Sequence, residues 1–188
     1  MSKEFVPADI VIYKVKDKSR IKEPSLVAYD KKTSKVLAVG KEAAKINCDG
    51  EEVGCVSPFH FGVIEDFQVA NVLMKLLIKR EFKGLWIKPR FALCFSESNA
   101  AFPMGIYEDL LKSAGARSVD IFNNTTLDEF LENIKEDKLS EYTGIIWITK
   151  ENINEYANEL IEETYEQLKK WGISKEEMIE ILHKVDER

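Results

Sequence analysis

Two segments of the chain, PRFALCF at 89–95 and TGIIWITK at 143–150, are apolar at consecutive positions rather than at alternate ones. A strand with one face in water alternates apolar and polar residues, so a continuous apolar run is typical of a strand covered on both faces. Amphipathic helical patterns occupy residues 66–80, 104–115 and 125–137. This alternation of buried strands and helices predicts an α/β domain built on one central sheet.

The first part of the chain has the alternating, β-branched pattern of half-exposed strands. Residues 8–17, 19–30 and 34–40 are therefore predicted to form three sequential strands in a meander. Pro24 has no N–H to donate to a ladder, and we expect it at a bulge or an edge of the second strand. Residues 41–62 contain three glycines and, after a short helical start, are predicted to be a loop.

Capping residues mark where the helices begin and end. Asp66 stands at the N-cap position of the first helix, and Thr125 or Thr126 caps the third. Gly115 follows the second helix at the C′ position, where glycine is favoured. The alternating segment 117–122 then reads as the strand that follows this helix.

The C-terminal segment 151–188 predicts two amphipathic helices broken at Trp171-Gly172. We divide the chain into an α/β domain at 1–150 and this helical tail, which we expect to pack on the same domain. A contact or dimer surface is the alternative use of its apolar face. The candidate interaction residues are Tyr156, Leu160, Leu168, Trp171, Ile173, Met178, Ile181 and Leu182.

The charge balance excludes nucleic acid as the predicted partner. The formal net charge is -6, whereas binding to a phosphate backbone draws on clustered lysine and arginine. Two basic runs, at 14–22 and 79–90, are interrupted by Asp17 and Glu81. We interpret both runs as solvated faces.

Cysteine and histidine are too few and too scattered for a metal site. The three cysteines, Cys48, Cys55 and Cys94, and the two histidines, His60 and His183, do not form a zinc set. Reduced thiols in a cytoplasm are predicted: Cys94 in a buried strand, and Cys48 and Cys55 as unpaired loop thiols, with a redox role left open. The sequence has no signal-peptide pattern and no stretch of about 20 apolar residues, so we predict a cytoplasmic protein without a membrane span.

The candidate catalytic residues each have a structural explanation. Glu65 and Asp66 are adjacent acids, and an acid at a helix N-terminus is favoured by capping and by the helix dipole. His60 lies between aromatic residues and is predicted to be a packing residue. Ser96-Glu97-Ser98 follows a strand, but no histidine stands where a triad would require one. The sequence therefore supplies no catalytic residue.

Four segments, 22–43, 61–80, 89–95 and 110–122, resemble the first domain of the MreB-type bacterial actins. They contain a Glu-Pro-Ser strand, an Ala-Val-Gly turn into a helix, a Gly-Val-Ile-x-Asp-Phe helix entry and an Ala-Gly-Ala before a strand. The resemblance covers residues 8–122, and it implies that the domain at 1–150 is actin-like. It implies the ribonuclease H-like fold shared by actins, heat-shock chaperones and sugar kinases, with a mixed sheet in which a three-strand meander is followed by strand–helix units.

The resemblance also implies two glycine-rich hairpins that bind phosphate, and this chain departs from both. Residues 4–7, where the Asp-x-Gly-Thr hairpin would lie, read Glu-Phe-Val-Pro. Residues 142–149, in the place of the second hairpin, contain only Gly144, on the wrong side of the strand. We therefore expect no nucleotide cofactor. If the strand that carries the first hairpin is lost, segment 143–150 is predicted to take its place at the centre of the sheet.

Two further family features have no counterpart. The acidic residue that positions the attacking water is replaced by Ala101 or Pro103, with Glu97 offset, and 188 residues leave no room for the second lobe. We predict a non-catalytic actin-like scaffold that binds a protein partner or itself, linked to a bacterial-actin, cell-shape or other multi-protein assembly. Two alternatives stay open: a diverged ATP-binding protein or ATPase completed by a partner, and a dimeric regulatory domain.

Overall fold

The computed structural model describes residues 7–48, 50–60, 63–95 and 104–149. These residues lie within a compact unit, Met1–Glu151, and the chain has a second unit, Asn152–Arg188. The strands of the described part are β1 Asp9–Lys14, β2 Ser19–Pro24, β3 Val27–Asp30, β4 Val36–Val39, β5 Val53–Val56, β6 Phe59–His60, β7 Val63–Ile64, β8 Arg90–Cys94, β9 Ser118–Phe122 and β10 Gly144–Ile148. The helices are α1 Phe67–Glu81, α2 Met104–Ser113, α3 Leu127–Asn133 and α4 Glu136–Leu139, with a 3₁₀ turn at Ala43–Lys45.

The main sheet has five strands in the order β2-β1-β10-β8-β9. Strand β10 lies at its centre, antiparallel to β1 and parallel to β8. Strands β8 and β9 are also parallel, and β1 and β2 are antiparallel. The mixed sheet confirms the predicted fold class at this level, and the position of β10 confirms that segment 143–150 provides the central strand.

Both faces of this sheet are covered, which explains the consecutive apolar residues of β8 and β10. Ile146 and Ile148 point into a core shared with helices α1 and α2. Ile145 points the other way, into a smaller core that includes Leu127 and Phe130 of α3. Because successive residues of a strand face opposite sides, only a continuous apolar run satisfies both cores.

The predicted meander of three strands is wrong as a single sheet, because the second predicted strand is broken after Pro24. The Leu26 N–H donates to Pro24 O at 2.8 Å in a tight turn, and the buried Ser25 hydroxyl pairs with that of Ser57 at 2.8 Å. The chain then enters a separate three-stranded sheet with the order β4-β3-β5. Pro24 itself lies at the end of β2, an edge strand, as expected.

The observed helix starts agree with those predicted from the sequence, whereas the predicted lengths of one helix and one loop do not. Asp66 Oδ1 accepts hydrogen bonds from the N–H groups of Gln68 and Val69, so it is the N-cap of α1. Thr126 caps α3 in a reciprocal capping box with Glu129. The helix predicted at 125–137 is two short helices, since Ile134 and Lys135 are extended. The loop predicted at 41–62 contains β5, which pairs with the distant strand β3, and β6, which forms a short hairpin with β7.

Candidate functional site

A turn of exposed apolar side chains joins α1 to β8. Within residues 84–89, which we call the tryptophan loop, Leu85, Trp86 and Ile87 are 46%, 102% and 67% exposed. Trp86 thus has as much solvent contact as in an extended chain. Scattered exposed apolar residues are ordinary, but three in succession are a feature typical of a contact surface.

The tryptophan loop is fixed at both ends by the fold. Before it, the ring of Phe82 packs edge-on against Phe91 with centroids 5.1 Å apart. After it, Pro89 is buried and its carbonyl accepts the Arg117 N–H at 2.7 Å. Gly84 makes the turn between these anchors with φ of +76°. The exposed side chains are therefore presented from a firmly attached backbone.

The surface around the tryptophan loop is positively charged, although the whole chain is negative. A cleft of about 310 Å³ lies beside the loop, and Lys75, Lys79 and Lys88 are among its lining residues, none of which is acidic. Phe82 and the Ala114–Gly115 turn form its apolar wall. Lysines of this kind can lay their methylene stems along an apolar surface and keep their ammonium groups in water.

The sequence interpretation missed this surface. The charge pattern of the run 79–90 predicts a solvated basic face, whereas the structure shows that its centre is apolar and exposed. The available signal is local: three large apolar residues stand between Gly84 and Lys88-Pro89, in a turn too short to reach the core. Periodicity did not reveal it because a turn has no period.

The C-terminal end of β10 meets the beginning of β1 at an edge of polar groups. The Thr149 N–H donates to the Asp9 carbonyl at 2.8 Å, and Thr149 Oγ1 accepts the Asp9 N–H at 3.0 Å. The Asp9 carboxylate pairs with Lys22 Nζ at 2.6 Å. Two separate chain segments therefore meet here, and the Asp9 carboxylate is already neutralised by Lys22.

Gly144 has a packing role that accounts for its place in the sequence. A Cβ added there would lie 2.7 Å from the Phe82 ring and 3.1 Å from both the Phe91 ring and the Tyr13 carbonyl. Only glycine lets the central strand pass beneath the end of α1. The glycine therefore leaves room for the Phe82 ring at the start of β10.

Glu23 connects two of the motifs recognised in the sequence. Its side chain is 6% exposed and lies 2.7 Å from Arg80 of α1. Its second oxygen accepts the Lys41 N–H at 2.7 Å, next to Gly40, whose φ is +64°. The Glu-Pro-Ser strand and the Ala-Val-Gly turn thus occur together because a carboxylate of the first caps the backbone of the second.

A second charged group lies where β8 and β10 begin. Arg90 binds Asp120 at 2.7 Å and Glu141 at 3.0 Å, with its guanidinium over the Tyr142 ring. Burial raises the pKa of Asp120, but hydrogen bonds from Arg90 and Tyr142 outweigh it, and the pKa is lowered. Burial and the bond to Asp120 raise the pKa of Tyr142 to about 12. Every charge has a partner, so this group orders the sheet end.

The adjacent acids at the start of α1 do not form a paired site. Asp66 uses one oxygen for two backbone N–H groups, and Glu65 is exposed. His60 belongs to β6 and pairs with Val63. Cys94 is buried, as expected, and burial raises the pKa of its thiol to about 12.

Cys48 and Cys55 are not the unpaired loop thiols that the sequence suggested. They form a disulfide, with Cα atoms 5.5 Å apart. They are seven positions apart in the sequence, and the reversal of the chain into β5 brings them together. No regular motif marks this pairing, because it depends on the pairing of β5 with β3.

Several predicted residues lie outside the described part of the chain. They are residues 96–103, with Ser96, Glu97, Ser98, Ala101 and Pro103; His183; and the tail residues Tyr156, Leu160, Leu168, Trp171, Ile173, Met178, Ile181 and Leu182. In the described ranges, histidine, cysteine and acidic residues do not gather into a metal-binding group. No helix within those ranges has the length and apolarity needed to cross a membrane.

Comparisons with known proteins agree with the motif resemblance. The MreB/Mbl protein family matches residues 5–128. The cell shape-determining protein Mbl of Bacillus subtilis (strain 168) is 34% identical over 115 residues, which are 60% of this chain and 34% of that protein. Mbl of Bacillus cereus is 31% identical over 115 residues, with the same coverage.

Solved structures give a similar partial match. The crystal structure of MreB5 of Spiroplasma citri bound to AMPPNP aligns with a TM-score of 0.49 and 26% identity, covering 62% of this chain and 35% of that chain. The matched region thus spans about a third of the length of these relatives. Since the family match extends over well more than half of the 188 residues, the chain belongs to the MreB/Mbl family.

Proposed function

We propose that this chain is a non-catalytic actin-like scaffold domain of the cell-shape type, attached to an anionic membrane surface by the tryptophan loop. The observation that carries the proposal is the exposed Leu85-Trp86-Ile87 turn beside three lysines. The relatives are named as cell shape-determining proteins, which supports a scaffold role. A cytoplasmic location belongs to the same proposal.

The absence of nucleotide chemistry is supported by the way the sheet is completed. The central strand β10 ends in Ile146-Trp147-Ile148 and is followed by Thr149, without a glycine or an acid in this stretch. Because β10 and β1 are distant in sequence, no hairpin of consecutive residues joins them at this edge. A phosphate nest needs successive backbone N–H groups in a glycine-rich turn.

We predict that the chain does not bind magnesium-ATP measurably. Titration calorimetry should show no saturable heat up to about 1 mM nucleotide, which corresponds to a binding free energy weaker than about -4 kcal/mol. MreB5 of Spiroplasma citri, whose crystal structure holds AMPPNP, is the positive control. Saturable binding in the micromolar range would disprove the non-catalytic part of the proposal and favour the diverged ATP-binding alternative.

The chemistry of the tryptophan loop fits a lipid surface. Trp86 combines a large apolar ring with one N–H donor, the combination enriched where hydrocarbon meets headgroups. Lys75, Lys79 and Lys88 beside it are suited to anionic headgroups, each contributing about 1 kcal/mol near such a surface. The whole chain has a net charge of -6, so most of its surface repels an anionic membrane. The cleft beside the tryptophan loop has no acidic lining residue, and an anionic membrane is therefore expected to bind there.

The shape of the loop favours a membrane over a folded protein. A protein hot spot is set in a packed, desolvated pocket, whereas Trp86 stands fully in solvent. A protruding aromatic residue can enter the headgroup layer without a complementary pocket. The anchors at Phe82 and Pro89 keep the backbone in place during insertion, which limits the entropy lost on binding.

Binding to vesicles provides the test of this surface. We expect the chain to sediment with vesicles of phosphatidylglycerol and phosphatidylcholine and to stay in solution with phosphatidylcholine alone. The double variant Trp86→Ser, Ile87→Ser should bind about tenfold more weakly, or about 1.4 kcal/mol, because the inserted apolar area is lost. Raising the salt to about 0.5 M should weaken binding by screening the lysines.

A matched control distinguishes insertion of the tryptophan loop from non-specific binding of exposed apolar residues to vesicles. Leu37 is 48% exposed on β4, away from the tryptophan loop in sequence, and Leu37→Ser should leave vesicle binding unchanged. Equal loss in both variants, or no loss in the loop variant, would contradict the membrane assignment. Binding of the loop to a purified protein without lipid would instead identify a protein-docking surface.

Protein contact is proposed for the tail. Tyr156, Leu160, Leu168, Trp171, Ile173, Met178, Ile181 and Leu182 are the residues we assign to it. Their amphipathic spacing in the sequence supports this assignment. The partner would be a protein of the cell-shape assembly or a second copy of the chain.

A further inference from the structure

The pairing of Cys48 with Cys55 gives the chain a site of reversible thiol chemistry. The Cα–Cα distance of 5.5 Å lies within the range for a disulfide. Both residues are half-buried rather than enclosed, so small thiols and disulfides in solvent can reach the sulfur atoms. Access of this kind distinguishes an exchangeable disulfide from a permanently buried one.

The bond fastens one surface segment to the three-stranded sheet. Cys55 lies in β5, opposite Ala28 of β3. Cys48 lies shortly after the 3₁₀ turn, whose Ala43 is fully buried. Between the cysteines, the carbonyls of Gly50 and Glu52 accept hydrogen bonds from Lys31 at 2.8 and 2.9 Å. The disulfide therefore adds a covalent tie to a loop in which Gly50 and Glu52 are held by surface hydrogen bonds.

The reduced form is also accommodated. Cys48 Sγ lies 3.3 Å from Ile46 O, so a thiol at this position has an acceptor within its own turn. The segment does not need to reorganise to satisfy the free thiol. Both oxidation states are thus compatible with the same backbone.

The third cysteine does not compete for the bond. Cys94 is fully buried in β8, in the second core of the main sheet. Burial raises the pKa of its thiol to about 12, so little thiolate is present near neutral pH. Exchange is therefore restricted to one pair of sulfur atoms.

We propose that Cys48 and Cys55 form a redox switch: when oxidised, the bond ties residues 50–52 covalently to the three-stranded sheet, and when reduced, it leaves them held by their hydrogen bonds to Lys31. The reaction partner is a low-molecular-weight disulfide such as glutathione disulfide. One cysteine thiolate attacks it, forms a mixed disulfide and expels a glutathione thiolate. The second cysteine then attacks the mixed disulfide, forms the protein disulfide and expels the second glutathione thiolate.

The overall exchange is balanced. Two protein thiols lose two electrons and two protons, and glutathione disulfide gains both to become two glutathione thiols. The reverse reaction uses two glutathione thiols or a dithiol protein. In a reducing compartment the pair rests as thiols, and a rise in the disulfide pool closes it, as is usual for redox-sensing pairs in the cytosol.

Equilibration of the full chain in glutathione buffers tests the switch. After quenching with acid and labelling with N-ethylmaleimide under denaturing conditions, mass spectrometry should count three labels in the reduced form and one in the oxidised form. The equilibrium constant for oxidation should be at least about tenfold higher for the native chain than in urea, a difference of about 30 mV. Amide exchange in segment 50–56 should be slower in the oxidised chain.

Cysteine variants provide the controls. Cys94→Ala should keep the same transition with one label fewer, while Cys48→Ser and Cys55→Ser should each lose it and accept one glutathione. The proposal is overturned if the native chain keeps three labels at every ratio, if glutathione adducts accumulate in place of the internal bond, or if the native and urea constants are equal. If Cys94→Ala does not fold, the comparison of the native chain with Cys48→Ser and Cys55→Ser is sufficient to test the switch.

Discussion

Replacing Ile146 with alanine should lower the free energy of unfolding by about 2–5 kcal/mol, the usual cost of truncating an isoleucine in a core. Ile146 is fully buried. It pairs with Ile12 of β1 on one side and Leu93 of β8 on the other. The truncated side chain would leave a cavity between the sheet and helices α1 and α2, bordered by strands that have little freedom to move inward.

Urea unfolding followed by circular dichroism measures this effect, and two variants calibrate it. Ile146→Val should cost about 1 kcal/mol because it removes one methyl group. Ile87→Ala changes an isoleucine that is 67% exposed in the tryptophan loop and should stay within about 0.5 kcal/mol of the native chain. If Ile146→Ala were as mild as Ile87→Ala, β10 would not occupy the core of the sheet.

The position of β10 has a consequence for the family resemblance. The family match ends at residue 128, whereas the strand that joins β1 to β8 is Gly144–Ile148. Without it, two strands would each expose an unpaired ladder inside the domain, a cost that packing does not offset. The matched region is therefore not a complete folding unit, and the sheet closes only when the chain returns from α4.

Where the sequence predicted structure correctly, the determining interactions are local or concern one strand. Asp66 caps α1 through N–H groups two and three residues away, and a short pattern is enough to predict it. The central position of β10 follows from Ile145 and Ile146 facing opposite cores. An apolar residue on each face can be read directly from consecutive letters.

The features that sequence reasoning missed depend on partners distant in the chain. The break after Pro24 is fixed by a pair of serine hydroxyls, Ser25 and Ser57, that are 32 residues apart. The Cys48–Cys55 pair depends on β5 joining β3. The exposure of Trp86 depends on the anchors at each end of its turn. A local sequence pattern therefore does not predict which apolar residues remain outside the core.

Substituting Gly40 with alanine should cost about 3 kcal/mol, which combines backbone strain with the loss of a charge-assisted hydrogen bond. Gly40 has φ of +64°, in the region that favours glycine, and an added Cβ would lie 2.2 Å from Glu23 Oε2. The carboxylate is nearly buried and would have to leave the Lys41 N–H or Arg80 to make room. Urea unfolding of both chains measures the loss.

Gly84 provides a control that isolates the contribution of the Glu23 contact. Its φ is +76°, but an added Cβ meets no atom within 4 Å, so Gly84→Ala should cost about 1 kcal/mol from strain alone. In a Glu23→Ala background the obstructing oxygen is absent, and Gly40→Ala should then cost no more than Gly84→Ala. That coupling, about 2 kcal/mol, is the measure of the link between the Glu-Pro-Ser strand and the Ala-Val-Gly turn. Equal costs for Gly40→Ala in the two backgrounds would show that the two motifs are retained for separate reasons.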